Sequence, residues 1–396
     1  MSAPSKPKAG LIALAFIAFI ALGMPDGLMG VAWPSIRASF SLPLDALGWL
    51  LFAAVSGYLT SSFSSGPLIA RFGVGKILTV SCALTGAGLI GYTLVPAWWM
   101  MVLLGVAAGL GAGAIDSSLN AYAAAHFSEG LMQWLHASYG IGITLGPFIM
   151  TSALAAFQSW RVGYDVVGTF QLVLSLCFML TLPVWDREKS TGEGGQPKRL
   201  TDYRTPMADT MRHPAALSSA LLFFLYTGCE VVLGTWSYTL FVESRGIEPE
   251  LAGLATGSYW GTFTVGRIVA GLFARRVGVN RLVSGSIVAS LLGSLLLWWN
   301  PFPLANLIAV VWTGFAIAPI FPALMSGTSD RVGIHFAANT IGMQMAAGSL
   351  GVAVIPSLVG VLARRVSLEI VPVCLAALFA ALLLVHYLTT KPGRKA

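Results

Sequence analysis

The chain has 396 residues, of which 56% are hydrophobic and 10% are charged, and its formal charge at neutral pH is +7. In a soluble globular domain about a quarter of the residues are charged, so this composition excludes that class and indicates a polytopic membrane protein. The positive charge is explained by membrane orientation, as shown below, and does not indicate nucleic-acid binding.

Apolar runs of about twenty residues recur along the chain, and each is long enough to cross about 30 Å of hydrocarbon as an α-helix. Their number predicts about twelve transmembrane helices. In chain order, the predicted spans are 11–35, 45–68, 76–97, 98–126, 133–157, 162–185, 215–243, 251–274, 281–299, 303–326, 338–362 and 368–389. The first run is too long for a removed signal peptide and has no small-residue cleavage site, so we keep it as a helix.

The distribution of Lys and Arg predicts the orientation, because cytoplasmic loops carry the excess of these residues. With both termini in the cytoplasm, 17 of the 23 basic residues fall on the inner side, five fall on the outer side, and Arg267 lies within a span. The sequence therefore predicts a multi-pass protein of the cytoplasmic membrane.

One long polar stretch divides the spans six and six. It is rich in Gly and charged residues and is predicted to be a cytoplasmic linker, residues 186–214, between an N-terminal six-helix bundle, residues 1–185, and a C-terminal bundle, residues 215–396. A local repeat relates the halves at an offset of 205 residues. Its paired positions are Gly66 and Gly271, Arg71 and Arg276, Gly73 and Gly278, and Lys76 and Arg281.

Both copies of this repeat follow the second span of their half, where glycine permits a tight turn and cations meet helix ends. With this loop and the six-plus-six arrangement, the chain resembles the major facilitator superfamily over essentially its whole length. The resemblance implies two pseudo-symmetric six-helix bundles around a central cavity that opens alternately to either side. It also implies a gating role for Arg71, Gly73, Lys76, Arg276 and Gly278. Ala70 stands where the family usually has Asp, which weakens the charge relay expected at this loop.

Three acidic residues, Asp26, Asp116 and Glu230, lie within the first, fourth and seventh spans. An ionised carboxylate is expensive in lipid and needs a partner, a proton or a water-filled cavity. In the family that the chain resembles, these spans line the cavity. The alternative for each acid is a purely structural role, as a protonated carboxyl group that packs helices together.

Asp26 follows Pro25 in a glycine-rich stretch, where the missing backbone donor is expected to break the helix. This stretch resembles the first helix of the fucose permease and its sugar:proton symporter relatives. That resemblance implies a role for Asp26 in proton coupling. From their positions in their spans, Asp26 and Asp116 should differ in depth by about 12 Å, which favours a relay over a shared-proton pair.

Asp116 and Asn120 lie four residues apart and share one helix face. The glycine-rich run before them resembles the fourth helix of the same relatives, which implies that Asp116 is the principal proton site and that Asn120 contacts the sugar. Tyr122 is a further candidate for substrate contact. Gly105, Gly109 and Gly113 form a small-residue stripe that is predicted to pack against a neighbouring helix.

Glu230 lies near the middle of the seventh span, with Tyr226 and Trp236 within reach. Aromatic rings suit the apolar faces of sugars, and carboxylates and amides suit their hydroxyls. We therefore predict that all three contact the substrate, with an ion pair between Glu230 and Arg267 left open. For Trp236 a purely structural position is an equal alternative.

Five further residues are weaker candidates. Arg267 is predicted to be a gate or capping residue near the interface, or else to contact an anionic substrate. His136 is predicted to be a cytoplasmic gate or packing residue. Pro147 ends a Gly-x-x-x-Gly-Pro motif that resembles the antiporter motif of drug exporters, although sugar symporters carry a similar one. Gln344, and less strongly Asn339, could reach the cavity from the eleventh span.

The sequence contains no phosphate-binding glycine loop, no metal-ligand cluster and no nucleophile with a base at usable spacing. Its four cysteines fall within spans and are predicted to be core residues. We therefore expect a transporter and not an enzyme, with no cofactor, a small-molecule substrate, the bilayer as its environment, and a monomeric state.

Two functions remain open at this point. The first is proton-coupled symport of a small neutral sugar-like solute, for which sodium coupling is not excluded. The second is proton-driven export of hydrophobic or cationic compounds. A membrane receptor or scaffold is a third class, and the absence of a sizeable soluble domain from the sequence argues against it.

Overall fold

A computed structural model describes residues 9–126, 129–187, 205–302 and 304–390. Within these ranges the secondary structure is helical and no strand is present. The chain forms two compact units, residues 1–194 and 195–396, and the boundary lies within the stretch predicted to be a linker. The predicted class, an all-α membrane protein, is confirmed.

The first unit contains six long helices that correspond to the first six predicted spans. They are α1 (Ala9–Ser39), α2 (Leu47–Phe72), α3 (Val74–Leu94), α4 (Trp98–His126), α5 (Glu129–Phe157) and α6 (Trp160–Arg187).

The second unit contains long and short helices. They are α7 (Met207–Arg212), α8 (Pro214–Thr239), α9 (Pro249–Val277), α10 (Val279–Trp299), α11 (Ala305–Ile317), α12 (Ile320–Ser326), α13 (Thr328–Val332), α14 (Ile334–Arg365) and α15 (Ile370–Thr390). A π-helical turn, Leu240–Ser244, extends α8.

Within the described ranges, eleven helical stretches are long and apolar enough to cross a membrane. Helix α9 occupies the place of the eighth predicted span and is not among the eleven. Its 29 residues include Glu250 and Arg267 and many Gly, Ser and Thr residues, which lower its hydropathy. The tenth predicted span, 303–326, forms two helices, α11 and α12, separated by Ala318 and Pro319.

Helix α1 is continuous through Pro25, contrary to the break that the sequence predicts. Proline lacks the N–H that would bond to the carbonyl four residues earlier, here that of Ala21. The Nε2 atom of Gln171, a fully buried residue on α6, donates to this carbonyl oxygen at 2.9 Å. The α6 side chain therefore replaces the missing backbone donor, and the helix does not need to open.

Glycines bring helices of the first unit into backbone contact. Gly109 of α4 lies against the backbone of Ala54, and Gly113 lies against Tyr58 and Ser61, all on α2. A side chain at either glycine would overlap these atoms. The prediction that the small-residue stripe packs a neighbouring helix is confirmed, and this packing fixes α4 beside Tyr58 of α2, which reaches Asp116.

Residues 205–212, which belong to the predicted linker, are hydrogen-bonded to α14. The Oγ1 atom of Thr205 donates to the His335 carbonyl at 2.7 Å, and the Asn339 Nδ2 atom donates to the Thr205 carbonyl at 2.9 Å and to Thr210 Oγ1 at 3.0 Å. Residues 205–212 are therefore held against the start of α14, and Asn339 is used as a structural donor. Residues 188–204 of the linker lie outside the described ranges.

Candidate functional site

Asp116 on α4 has a donor on each carboxylate oxygen. The Tyr58 hydroxyl of α2 donates to Oδ2 at 2.6 Å, and the Asn120 Nδ2 atom, one turn along α4, donates to Oδ1 at 2.9 Å. All three side chains are half-buried. Neutral donors hold the carboxylate in place without supplying a permanent countercharge, so the group remains able to bind and release a proton.

Asp26 on α1 is arranged in a similar way by α5. The Tyr139 hydroxyl donates to Asp26 Oδ2 at 2.7 Å, and the Asp26 side chain is exposed. Helices α1 and α5 touch through their backbones, because Gly23 lies against the carbonyl of Tyr139 and the amide of Ile143. The glycine therefore brings the tyrosine within hydrogen-bonding distance of the acid.

The two carboxylates belong to one electrostatic cluster in the first unit. Asp26 and Asp116 act on each other, and both act on Tyr58. Asp116 also interacts with His136, which lies one helical turn before Tyr139 on α5. Each acid has its own tyrosine donor, so the two carboxylates are held by separate hydrogen bonds.

Two other predicted residues of the first unit, Tyr122 and Pro147, pack against neighbouring helices. Tyr122 is buried, and its ring lies 4.6 Å from that of Trp185 on α6 in an edge-to-face arrangement. Pro147 packs its ring against Gly27, next to Asp26. In this conformation Tyr122 stabilises the contact of α4 with α6, and Pro147 fixes the α1–α5 crossing beside the candidate site.

In the second unit, the Tyr226 hydroxyl lies in the electrostatic field of both Glu230 and Arg267. This hydroxyl is buried and lies beside the Glu230 side chain. Tyr259 on α9 is influenced by the same two charges, and its hydroxyl donates to the backbone oxygen of Glu230 at 2.8 Å. The predicted residues Tyr226, Glu230 and Arg267 are thus brought together.

Arg267 is surrounded by aromatic rings. Its guanidinium carbon lies 4.3 Å from the ring centre of Phe263 and 6.0 Å from that of Phe321, a residue of α12. The Phe321 ring in turn lies 5.9 Å from the ring of Tyr226. Within the described part of the chain, the buried Nε atom of Arg267 has no hydrogen-bond partner. Arginine above a ring face is stabilised by the cation–π interaction.

Two predicted substrate residues are fully buried and have structural partners. The indole nitrogen of Trp236 donates to the Pro356 carbonyl at 3.0 Å, which joins α8 to α14. Gln344 exchanges hydrogen bonds with the Thr328 hydroxyl at 3.0–3.1 Å. In this conformation both side chains pack helices together and do not present a free polar group to a ligand.

The repeated loops have the same backbone conformation in both units. Gly73 has φ +84° and ψ 157°, and Gly278 has φ +82° and ψ 144°. This region of backbone space is essentially restricted to glycine. Gly333, between α13 and α14, adopts φ +79° and ψ 155° as a third example that the repeat did not reveal. Arg71 and Lys76 are exposed, and the Arg276 side chain lies outside the described part of the structure.

Sequence reasoning also missed an ion pair at one end of the second unit. Arg245, which follows the π-turn, donates from Nε and one terminal nitrogen to the two oxygens of Glu369, at 3.0 and 2.7 Å. Its guanidinium also bonds to Asn306 and to the Leu297 carbonyl. The guanidinium lowers the pKa of Glu369 below its usual value of 4.5. No short-range pattern identifies this pair, because its members are 124 positions apart.

We compared the chain with a family model, with known proteins and with solved structures. A family model described as "Major Facilitator Superfamily" matches residues 14–356 and 219–396. The human protein "Sodium-dependent glucose transporter 1" is 25% identical over 391 residues, which cover 88% of this chain and 72% of that protein. The "Glucose/mannose transporter GlcP" of Bacillus subtilis (strain 168) is 20% identical over 313 residues, or 78% of this chain and 77% of that protein.

Another relative has a different type of named substrate. The "3-(3-hydroxy-phenyl)propionate transporter" of Escherichia coli (strain K12) is 26% identical over 326 residues, which cover 78% of each chain. Among solved structures, nucleoside transporter NupG superposes with a TM-score of 0.76 at 14% identity, covering 96% of this chain and 98% of that chain. A bacterial homologue of the human lysosomal transporter Spinster, in an inward-facing and occupied conformation, gives a TM-score of 0.78 at 11% identity and covers 98% of both chains.

Proposed function

Because the chain belongs to the Major Facilitator Superfamily, we propose that it carries a small, neutral, sugar-like solute across the cytoplasmic membrane by proton-coupled symport with alternating access. The relatives and structural neighbours described above are named as transporters. In this proposal the proton gradient supplies the energy, a monomer performs the transport and both termini lie in the cytoplasm.

The main support for proton coupling is that each of the two carboxylates of the first unit accepts a hydrogen bond from a tyrosine hydroxyl. Tyr58 serves Asp116 at 2.6 Å, and Tyr139 serves Asp26 at 2.7 Å. A tyrosine hydroxyl can donate to a carboxylate and can accept from a protonated carboxyl, so it can serve both states. Acids held in this way within apolar helices are suited to bind a proton on one side and release it on the other.

The sugar-like substrate is supported by relatives and by residue chemistry. Three relatives from vertebrates are named as sodium-dependent glucose transporters, and a bacterial relative is named for glucose and mannose. In this chain, the Asn120 amide can donate a hydrogen bond to a sugar hydroxyl or accept one from it, and the Glu230 carboxylate can accept one. The Tyr226 hydroxyl can do both. Because the names of the vertebrate relatives specify sodium, the coupling ion has to be tested directly.

A second candidate substrate class is an aromatic hydroxy acid. Arg267 lies against Phe263 and Phe321, an arrangement that could bind a carboxylate attached to a flat ring. Relatives named for 3-(3-hydroxy-phenyl)propionate and for 4-hydroxybenzoate favour the same class. In this alternative Arg267 contacts the substrate and is not a gate residue.

Reconstitution into proteoliposomes separates these possibilities. Radiolabelled D-glucose, D-mannose and L-fucose, together with 4-hydroxybenzoate, would be offered under an inward proton gradient, an inward sodium gradient or no gradient. The proposal predicts that a sugar accumulates with the proton gradient alone. Accumulation of 4-hydroxybenzoate without any sugar would favour the second candidate, and dependence on sodium would refute proton coupling.

A cationic dye completes the panel, because it tests for export. Vesicles loaded with ethidium would be monitored by fluorescence under the same inward proton gradient, because an antiporter expels its substrate as protons enter. Expulsion of the dye by the wild-type protein, with no accumulation of any sugar, would replace the symporter with a proton-driven exporter of cationic compounds.

A further inference from the structure

A third loop of the chain has the same short pattern as the two repeated loops. The pattern Arg-x-Gly occurs at residues 71–73 and 276–278, and it occurs again at residues 331–333, between α13 and α14. The repeat that relates the two halves does not include this third copy. In the first and third copies, the glycine amide donates to the carbonyl four residues earlier, at 2.8 and 2.9 Å.

The three loops also share one backbone conformation. Gly73 separates α2 from α3, Gly278 separates α9 from α10, and Gly333 separates α13 from α14, in each case as a single residue. Their φ angles lie between +79° and +84° and their ψ angles between 144° and 157°, a region that is essentially restricted to glycine. Residues 327–333 therefore form a third turn of the same kind.

The arginine of the third loop is bonded to its own unit. Arg71 of the first loop is exposed, whereas Arg331 is half-buried. The Arg331 Nε atom donates to the Ser219 hydroxyl oxygen of α8 at 3.2 Å. One of its terminal nitrogens donates to the Leu324 carbonyl of α12 and, at 3.2 Å, to Thr328 Oγ1. A single guanidinium therefore joins α8, α12 and α13.

The network continues to α14 through Thr328. Its hydroxyl exchanges hydrogen bonds with the Gln344 side chain at 3.0–3.1 Å. Ser219, Thr328 and Gln344 are each at most 1% exposed, and buried polar groups of this kind need hydrogen-bond partners. We call Arg331, Ser219, Thr328 and Gln344, with the Leu324 carbonyl, the Arg331 clasp. It lies at the end of the second unit that is predicted to face the cytoplasm.

The surroundings of Arg331 fit one position of its guanidinium. A Cβ atom at Gly327 would lie 2.9 Å from a terminal nitrogen of Arg331 and 3.2 Å from the Val279 side chain of α10, so the glycine leaves space for the guanidinium. Burial lowers the pKa of Arg331 from 12.5 to about 10, and the acceptors in the clasp are neutral oxygens. Burying a charge is costly unless it is hydrogen-bonded, so displacement of the guanidinium should disturb the whole clasp.

We propose that Arg331 is a positioning residue for alternating access, a role that rests on the proposed transport function. It fixes α8, α12 and α14 to one another at their predicted cytoplasmic ends, so that these ends move as one body. Alternating access depends on the rocking of such bodies around the substrate site. Ser219 precedes Tyr226 on α8 by seven residues, which is about 10 Å. Loss of the clasp should therefore slow the conformational step and leave substrate affinity unchanged.

The first test concerns the clasp itself and needs no substrate. Thermal unfolding of the detergent-solubilised protein would be measured for Ser219→Ala, Arg331→Ala and the double variant. If the two side chains share a hydrogen bond, Ser219→Ala should lower the Tm of the wild type but not that of Arg331→Ala. Should Arg331→Ala not fold, Gly327→Ala replaces it in the same cycle, because its methyl group displaces the guanidinium. Equal Tm shifts by Ser219→Ala in both backgrounds would overturn the proposal.

The second test separates positioning from a purely structural role. Counterflow of D-glucose in proteoliposomes would be measured per folded molecule for Arg331→Lys, which keeps the charge but not the forked donors. Its turnover number should fall about tenfold while its KM stays within about twofold of the wild type. Arg212→Ala, which removes an exposed arginine of α7, is the matched control and should behave like the wild type. Wild-type turnover by folded Arg331→Lys would overturn the positioning role, and so would a rise in KM that accounts for the loss.

A third measurement keeps the two proposals distinguishable. If the wild type shows no counterflow of D-glucose, the sugar-transport proposal fails, and hydrogen–deuterium exchange decides the positioning role. Arg331→Lys should then speed amide exchange together at the start of α8, in α12 and at the start of α14, because the clasp joins these segments. Exchange in the first unit should stay as in the wild type. Unchanged exchange in the three segments would overturn the proposal.

Discussion

Replacing Gly23 by Ala should separate α1 from α5 and break the contact that positions Asp26. A Cβ atom at Gly23 would lie 2.8 Å from the Ile143 amide nitrogen and closer still to the Tyr139 carbonyl, whereas ordinary contact begins at 3.4 Å. Both neighbours are backbone atoms, so no side-chain rotation can relieve the overlap. We expect α1 to withdraw by about 1 Å.

A withdrawal of this size is enough to break the hydrogen bond between Tyr139 and Asp26. The bond is now 2.7 Å long, and after the shift it would be about 3.7 Å, beyond a useful hydrogen bond. Overpacking costs about 1–3 kcal/mol, and a hydrogen bond to a charged group contributes about 1.5–3 kcal/mol. Because Asp26 is exposed, the lower half of the hydrogen-bond range, about 1.5–2 kcal/mol, applies, and we expect a total destabilisation of about 2.5–5 kcal/mol.

The assay combines stability with coupling. Unfolding of detergent-solubilised Gly23→Ala would be compared with that of Gly10→Ala, a matched change on the same helix with nothing within 4 Å of the added atom. The control should be unchanged or slightly more stable, since alanine favours helix. Tyr139→Phe removes the hydrogen bond without overpacking and should share the loss of proton-driven accumulation. Wild-type stability and accumulation in Gly23→Ala would refute this account of the α1–α5 crossing.

Three further predictions concern other parts of the molecule. Gln171→Leu should leave the Ala21 carbonyl without a donor and lower the free energy of unfolding by about 1–3 kcal/mol, and equal stability in a denaturation experiment would contradict the role of Gln171 at the proline. Gly73→Ala and Gly278→Ala should each cost about 1–3 kcal/mol, because both backbones lie in a glycine-only region. A thermal shift in one variant alone would show that the two loops are not equivalent. Glu369→Gln should lower stability at neutral pH. The difference from the wild type should shrink as the pH falls below the usual carboxyl pKa of 4.5 and vanish below the lower pKa of the folded state, because the ion pair contributes stability only while the carboxylate is ionised. A difference that is independent of pH would refute this contribution.

The helices of the fold could be predicted because the bilayer imposes a strong pattern. Apolar runs of sufficient length recur, and the observed helices overlap every predicted span. One of the missed details depends on a contact between helices, and the other depends on local backbone geometry. Continuity at Pro25 depends on Gln171, a residue 146 positions later in the chain, and the separation of α11 from α12 depends on local backbone geometry at Pro319. The pattern of apolar residues along the sequence shows neither the continuity at Pro25 nor the separation of α11 from α12.

For the candidate site, the sequence identified the acids but not their donors. A buried acid in an apolar run is visible without knowledge of the fold. Tyr58 and Tyr139 are ordinary aromatic residues in their own helices, and they become significant because packing places them 2.6 and 2.7 Å from Asp116 and Asp26. Only Asn120, four residues from Asp116, followed from helical spacing.

In the second unit, the sequence predicted substrate contacts for two residues whose polar atoms are used in packing. Trp236 and Gln344 have side chains suited to sugar binding, yet both are fully buried with hydrogen bonds to Pro356 and Thr328. Residue type predicts what a side chain can bind, but the neighbouring helix determines whether its polar atoms are available. Glu230 and Tyr226 remain predicted substrate contacts, and the structure brings the two side chains together.

The central claim, that Asp116 couples solute movement to proton movement, is tested most directly by Asp116→Asn in proteoliposomes. The amide keeps the size of the side chain but cannot bind and release a proton at physiological pH. We predict that the variant loses accumulation of the sugar that the wild type concentrates under an imposed proton gradient, while counterflow of the same sugar persists. Accumulation at the wild-type level would contradict the account, because the proton would then have to be carried elsewhere.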